Sequence, residues 1–169
     1  TEGITEQDKK IAGYAHDNGK PIVLAVNKWD LIEKQTNTME KYSEEIYYEL
    51  KFLNYAPITF ISALTGERIS EVIDLVEYVI DQSSLRVKTG VLNEVIQEAL
   101  HIKQPPSKKG KRIKIYYASQ TGVKPPRIVL FVNNPELMHF AYQRYIENKI
   151  RDAFGFIGSP IKFTLKRRK

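Results

Sequence analysis

Asn27, Lys28 and Asp30 are the residues whose types and spacing best suit specific chemistry, and they directly follow an apolar run, 22–26. A carboxylate can accept two adjacent N–H donors at once, and such charge-assisted bidentate bonding is strong and geometrically selective. Guanine offers such a pair on one edge, a ring N–H beside an exocyclic amine, whereas adenine does not. We therefore expect Asp30 to read the base, Asn27 to supply an amide and tie neighbouring loops together, and Lys28 to lay its aliphatic stem along the ring.

A second candidate loop, Ser62-Ala63-Leu64, follows the next apolar run, 57–61. In open α/β sheets, ligands bind beyond the carboxyl ends of the strands, where both loops are expected to lie. A serine-alanine turn at this point can direct the Ala63 backbone N–H at the carbonyl oxygen of guanine. The alternative is an ordinary strand-to-helix turn in which Asp30 only caps a helix, and the presence of two such loops favours the guanine site.

The elements that must hold these loops read helix, strand, helix, strand, helix over residues 1–82. Thr5 and Asp8 form a capping-box pattern for the first helix, and Thr38 is spaced to cap the second. The continuous apolar character of 22–26 predicts a strand buried on both faces of a parallel sheet. This order predicts the α/β class, with parallel strands and flanking helices.

The segment 83–88 is short and largely polar and is predicted to be a linker. A second domain is predicted over 89–169. There the order helix, strand, strand, helix, strand predicts a small α+β fold with its helices on one face of a sheet. Asn134 and Pro135 are predicted to start a long helix that is kinked or split.

Charge is divided unevenly between the two domains. Residues 1–88 hold 10 Lys and Arg against 15 Asp and Glu, a net charge of −5, whereas residues 89–169 hold 16 against 5, a net charge of +11. A basic domain favours a phosphate-rich partner through counterion release, and a merely solvated basic surface is the alternative. The predicted RNA- or ribosome-facing patch consists of a loop cluster and a tail: Lys108, Lys109, Lys111, Arg112, Arg167, Arg168 and Lys169.

Several other residues are given structural roles. Tyr116 and Tyr117 could stack on nucleic-acid bases, but the alternating pattern of their strand favours a place in the core. His16, His101 and His139 lack clustered acidic partners and are interpreted as structural or surface residues rather than metal ligands. The chain has no cysteine, which excludes disulfides and cysteine-based metal sites. No run approaches the roughly 18 apolar residues of a membrane helix. We assign the chain no metal site and no catalytic residue.

The two candidate loops resemble the guanine-specificity and Ser-Ala motifs of translational-type GTPases. The runs 26–30 (Val-Asn-Lys-Trp-Asp) and 61–66 (Ile-Ser-Ala-Leu-Thr-Gly) are similar to the second GTPase domain of the Der (EngA) family of tandem-domain ribosome-assembly GTPases. The runs 124–126 (Lys-Pro-Pro), 131–133 (Phe-Val-Asn) and 156–161 (Phe-Ile-Gly-Ser-Pro-Ile) resemble the KH-like domain that closes these proteins. The resemblance covers the whole chain. It implies the C-terminal half of a P-loop GTPase domain followed by a small α+β KH-like domain.

The resemblance also implies a function. It implies a cytoplasmic GTP hydrolase that binds GTP or GDP with Mg²⁺, acts on the large ribosomal subunit or its rRNA, and binds neither membrane nor DNA. The chain contains no G-x-x-x-x-G-K-[S/T] phosphate loop and no switch segment, on which phosphoryl transfer depends. We therefore expect Mg²⁺ to be held by residues outside this chain, and we expect the chain to begin partway through a longer protein. We expect the chain alone to be inactive.

Two alternatives remain open at this point. One is a non-enzymatic adaptor whose basic domain binds RNA or the ribosome. The other is an Era-like GTPase, which also joins a GTPase domain to a KH domain. KH domains grip nucleotides with a GXXG loop, and the comparable stretch here, 142–154, contains no glycine. This absence counts against the Era-like alternative and against RNA binding in the usual KH manner.

Overall fold

The computed structural model describes residues 3–108 and 110–168. The chain divides into two compact units. The first unit ends at Ser83 and also includes Ile157–Pro160, and the second comprises Ser84–Phe156 and the residues from Ile161 onward. Nothing in the sequence predicted that four residues from the end of the chain would belong to the first unit.

The first unit has the predicted α/β order. Its elements are α1 (Glu6–Asp17), β1 (Leu24–Val26), α2 (Thr38–Glu49), β2 (Ile58–Phe60) and α3 (Ile69–Ser83). β1 and β2 pair in parallel, with Leu24 opposite Ile58 and Val26 opposite Phe60. Because parallel strands end at the same edge of their sheet, the segments that follow β1 and β2 start side by side.

The prediction that 22–26 is buried on both faces is wrong for this chain. In the described residues β1 pairs only with β2, and Ala25 in its middle is exposed. The apolar stripe of α3 is also largely uncovered: Ile73 and Val76 are exposed, and of these three apolar residues only Val79 is buried. The apolar pattern of a strand or helix indicates which face prefers burial, but a neighbouring element must be present to cover it.

The helix starts gave one confirmed prediction and one wrong one. At α1 the Thr5 Oγ1 accepts from the Asp8 N–H at 3.2 Å and the Asp8 carboxylate accepts from the Thr5 N–H at 2.9 Å, which completes the capping box. These hydrogen bonds, the backbone one first, lower the pKa of Asp8. At α2 the cap is Asn37, in a left-handed conformation, and Thr38 lies inside the helix. The Thr38 hydroxyl bonds back to the Gln35 backbone instead.

Gly158 fixes the segment just before β1. Its carbonyl accepts from the Ile22 N–H at 2.7 Å, and its own N–H donates to the Tyr55 carbonyl at 2.7 Å. The residue is buried with φ at 73°, and a Cβ at this position would lie 2.2 Å from Cγ1 of Val79. Only glycine meets both the backbone and the space requirement. The segment 157–160 therefore supports the start of the strand that leads into Asn27.

The second unit is a three-stranded sheet with two helices. It contains α4 (Thr89–Ile102), a short hairpin of β3 (Ser107–Lys108) and β4 (Lys111–Arg112), then β5 (Ile115–Gly122), β6 (Arg127–Val132), α5 (Phe140–Phe154) and β7 (Lys162–Arg167). The sheet order is β5-β6-β7, with β5 antiparallel and β7 parallel to β6. Apolar residues of both helices and of the inner face of the sheet form one core cluster. This is the predicted α+β arrangement, with an additional hairpin.

The prediction of a split helix after Asn134 is confirmed. Asn134 caps a one-turn 3-10 helix, Pro135–Leu137, by accepting from the Glu136 N–H at 3.2 Å. The long helix α5 starts only afterwards, at Phe140. No helix in the described part of the chain is long and apolar enough to cross a membrane.

The prediction that Tyr116 and Tyr117 lie in the core is wrong. Both are exposed, at 42% and 46%. The pairing of β5 with β6 shifts register between Ile115 and Tyr117, so the strand contains an irregularity at this point. Ile115 and Ala118 on either side are buried. An extra residue in one strand breaks the two-residue alternation, and here it leaves two consecutive tyrosines outside the core.

We predict that Gly158→Ala destabilises the first unit more than Gly66→Ala does. Both glycines have positive φ, but a Cβ at Gly66 meets no atom within 4 Å. A left-handed alanine costs about 1–2 kcal/mol, and overpacking against Val79 adds about 1–3 kcal/mol. Denaturant unfolding of the purified protein measures the difference, and hydrogen exchange at 22–26 locates it. Equal losses for the two variants would contradict the supporting role of Gly158.

Candidate functional site

The two candidate loops adjoin at the carboxyl edge of β1 and β2. The Ile61 N–H donates to the Val26 carbonyl at 2.8 Å, and the Trp29 N–H donates to the Ile61 carbonyl at 3.0 Å. Backbone hydrogen bonding thus continues beyond the last paired residues of the two strands. It brings the Asn27–Asp30 segment and the Ser62–Leu64 segment together at the edge where open α/β sheets bind ligands.

Asn27 joins the two loops through one atom. Its Oδ1 accepts from the Lys28 N–H at 2.7 Å and from the Ala63 N–H at 3.0 Å, across 36 residues of sequence. A side-chain amide has two acceptor lone pairs and two donors. With both lone pairs of Oδ1 used, the Nδ2 group is the part of Asn27 that can donate to a ligand.

The Ala63 N–H does not point freely into the site. The sequence predicts that it donates to a guanine carbonyl oxygen, whereas in the structure it donates to Asn27. A base that uses this donor must share it with Asn27 or displace the Asn27 oxygen. Leu64, the next residue, is 87% exposed, so the tip of this loop is open to solvent.

Ser62 shapes its loop from inside. The residue is fully buried, and its Oγ accepts from the Thr65 N–H at 3.2 Å. Its carbonyl accepts from the Gly66 N–H at 2.9 Å, and its own N–H donates to Glu67. These bonds close a tight turn that holds Ala63 and Leu64 outward. Ser62 therefore belongs to the site through backbone shape and not through a hydroxyl facing a ligand.

Trp29 anchors the first loop, a role that was not predicted from the sequence. Its ring is 1% exposed and packs at 4.4 Å from the ring of Phe60 and edge-on at 5.5 Å from Tyr42. Its indole N–H has no hydrogen-bond partner in the described residues, and an unpaired buried donor costs about 1–3 kcal/mol. A large apolar residue inside a polar four-residue motif was the available signal that one side chain of the loop must enter the core.

Lys28 and Asp30, on either side of Trp29, stay outside the core. Lys28 is exposed with φ at 63°, the left-handed region, so the chain turns sharply there. Asp30 lies in a one-turn 3-10 helix, Trp29–Leu31, and is half-buried. Among the described residues no side-chain hydrogen bond occupies its carboxylate, which leaves both oxygens able to accept from a ligand.

The predicted basic patch is partly assembled in the second unit. Lys108 and Lys111 pair across the β3–β4 hairpin; Lys108 Nζ donates to the Glu136 carbonyl at 2.9 Å. Arg112 donates to Gln104 at 2.7 Å. Arg167 and Arg168, at the end of β7, are exposed. The predicted residues Lys109 and Lys169 lie outside the described part of the chain.

The three histidines lie in different settings. His16 is half-buried, with Nδ1 at 2.7 Å from the Tyr55 hydroxyl and its ring 5.8 Å from that of Phe52. His101 and His139 are exposed. Within residues 3–108 and 110–168, no three histidine, aspartate or glutamate side chains are grouped as a metal site requires.

Comparison with known families defines the class of protein. Residues 1–82 match the elongation factor Tu GTP binding domain, and residues 86–166 match the KH-domain-like C-terminal region of EngA bacterial GTPase enzymes. The first unit is therefore part of a GTP-binding domain, and the second is a KH-like domain.

Related sequences specify the family. The chain is 68% identical over 167 residues to the GTPase Der of Halothermothrix orenii, and 56% identical over 168 residues to that of Acetivibrio thermocellus. In both cases the alignment covers 99% of this chain and 38% of the relative. The chain thus spans well under half the length of these proteins. It belongs to the Der (EngA) family of GTPases.

We predict that Asn27→Ala loosens the Ser62–Leu64 loop whereas Asn27→Asp does not. Alanine removes the acceptor for the Ala63 N–H, and one such bond contributes about 1 kcal/mol, or about fivefold in local opening. Aspartate keeps an oxygen in place but loses the Nδ2 donor. Hydrogen exchange at the Ala63 amide checks this, with faster exchange expected only in the alanine variant. If the Ala63 amide of the alanine variant exchanged as slowly as that of the aspartate variant, Asn27 would not hold the loops together.

Proposed function

We propose that the whole protein binds and hydrolyses GTP, and that this chain supplies the part of the site that selects guanine. The observation that carries the proposal is the Asn27–Ala63 hydrogen bond at 3.0 Å, which joins two strand-end loops, one of which contains Asp30. Asp30 accepts from the ring N–H and exocyclic amine of guanine. Asn27 Nδ2 donates to the imidazole side of the purine, and the Lys28 stem covers the ring face.

The remaining loop residues complete the pocket in this proposal. Ser62 holds the turn, Ala63 shares its N–H between Asn27 Oδ1 and the guanine carbonyl oxygen, and Leu64 borders the base from the solvent side. A buried site that leaves a polar group unpaired with the wrong base discriminates by about 10⁴-fold. The donor set of this chain fits a purine base and contains no phosphate loop. When bound, Mg²⁺ neutralises charge on the phosphates, and its ligands are residues outside this chain.

We further propose that the protein acts in the cytoplasm on the maturing large ribosomal subunit, with the KH-like domain facing rRNA. The net charge of +11 over residues 89–169 supports a phosphate-rich partner. Membership of the Der family, with its EngA-type KH-like domain, disfavours both the Era-like alternative and the non-enzymatic adaptor.

Substitution of Asp30 tests the base-reading role. In the whole protein, Asp30→Asn is expected to shift preference from GTP toward XTP, because the new amide cannot accept both guanine donors but can donate to the second carbonyl of xanthine. The expected loss in GTP affinity is on the order of 10²-fold or more. Competition binding with GTP, XTP and ATP measures it. Asp74→Asn, the same change at an exposed position of α3, is the control and should keep GTP selectivity; a D30N protein that still prefers GTP would overturn the assignment.

Reversal of the hairpin cluster tests the ribosomal partner. Replacing the four basic residues by glutamate is expected to weaken binding to large-subunit particles and to flatten the dependence of log K on log salt by up to about 0.7–0.9 per lost phosphate contact; the residues are Lys108, Lys109, Lys111 and Arg112. The matched control reverses four basic residues elsewhere in the second unit: Arg86, Lys124, Arg144 and Lys149. Equal losses for both sets would mean that net charge alone, and not this cluster, governs binding.

A further inference from the structure

The outer face of the β5-β6-β7 sheet carries exposed aromatic rings beside basic side chains. Tyr116 and Tyr117 are exposed on β5 at the register shift. Tyr117 lies opposite Phe131 of β6, with ring centroids 5.9 Å apart, and Phe131 lies opposite Lys166 of β7. Tyr117, Phe131 and Lys166 therefore form one row across the three strands, with two aromatic rings followed by a lysine.

Arg168 adds a second cation to this end of the sheet. Its backbone N–H donates to the Val132 carbonyl at 2.8 Å, which continues the β6–β7 pairing by one residue. Its guanidinium lies over the Tyr116 ring, 5.1 Å from the centroid. A guanidinium over one side of an exposed ring is an arrangement that also accepts a nucleic-acid base, since arginine and aromatic planes both stack on bases.

The charged side chains on the three strands of the sheet are all positive, which favours binding of an anion. The three strands contain four lysines and arginines and no aspartate or glutamate. Four of the five acidic residues of 89–169 lie on the helices α4 and α5, which share their core with the opposite face of the sheet: Glu94, Glu98, Glu147 and Asp152. The fifth, Glu136, lies in the 3-10 turn, where its carbonyl binds Lys108. An apolar protein partner explains the rings but not this one-sided charge.

We propose that Tyr116, Tyr117, Lys166 and Arg168, here called the tyrosine platform, bind single-stranded RNA by stacking bases on the two rings and pairing phosphates with the two cations. Exposed aromatics combined with a positive groove bind single strands in this way, with about 1–3 kcal/mol per stacked base. The inference rests on the proposed function only in taking RNA as the partner. It differs from the hairpin cluster, which has charge but no ring, and it places the RNA on the sheet and not at a GXXG loop.

The experiment uses the whole protein and an oligouridylate of about 10 nucleotides, within the usual site size of such platforms, with a duplex of equal length for comparison. Tyr117→Ala and Tyr116→Ala are each expected to weaken single-strand binding at least about fivefold while leaving the salt dependence unchanged. Tyr117→Phe keeps a stacking ring and should bind like the unmodified protein. Lys166→Gln and Arg168→Gln should instead lower the salt dependence.

Phe140→Ala is the matched control. Phe140 is 72% exposed in the same unit and has the Arg144 guanidinium 5.9 Å from its ring, but it lies on α5 and not on the sheet. This variant should bind RNA normally, and ultraviolet crosslinks to the oligonucleotide should map to the peptide 115–122. Duplex should bind more weakly than the single strand, because its bases are not free to stack.

Three results would overturn the proposal while leaving the GTPase function and the ribosomal partner intact. The first is that Tyr116→Ala, Tyr117→Ala and Phe140→Ala all bind RNA with equal affinity, which would mean that the surface binds RNA by charge alone. The second is equal binding of single strand and duplex. The third is a tyrosine variant that loses binding to large-subunit particles but keeps full affinity for the oligonucleotide, which assigns the platform to a protein partner.

Discussion

Two backbone N–H groups that share the Oδ1 of Asn27 hold the candidate site together. The strands β1 and β2 contribute only three residues each, and their loops leave the sheet in the same direction. Two backbone hydrogen bonds, Ile61 to Val26 and Trp29 to Ile61, join the starts of the loops, and the side-chain contact of Asn27 extends this connection to Ala63. The Asn27 contact to Ala63, 3.0 Å long, turns two loops into one surface. A carboxylate at Asp30 has selective value only if the surface around it is fixed in this way.

The position of the candidate loops depends on apolar packing beneath them as well as on the hydrogen bonds of Asn27. Trp29 enters the core between Phe60 and Tyr42 and so fixes the residues before and after it, both of which stay outside. Gly158 acts from the far end of the chain, by binding the Ile22 backbone ahead of β1. The site thus depends on a ring from within its own motif and on a glycine near the other end of the sequence. Neither residue contacts a ligand in the proposed arrangement.

The sequence alone predicted the order of the main elements and the parallel pairing, and it supplied the candidate residues of the site, because each of these follows from local pattern. Apolar runs, capping residues and a polar motif after a strand are all readable within a few residues. The role of Gly158 could not be predicted from the sequence, since its neighbours Val79 and Tyr55 come together only through the fold. The engagement of the Ala63 N–H by Asn27 was equally hidden, because competition between a ligand and a side chain for one donor depends on distances.

The tyrosines show most clearly why strand periodicity has a limit. Alternation assigns every second residue to the core, so Tyr117 was expected to share a face with Ile115. The register shift between these two residues moves Tyr117 outward and leaves Tyr116 beside it, while Ala118 fills the core position. A single irregularity therefore exchanges one large ring, that of Tyr117, for one methyl group in the core. Because exposing two aromatic rings to water is unfavourable on its own, their place on the surface is the observation from which the proposal of the tyrosine platform starts.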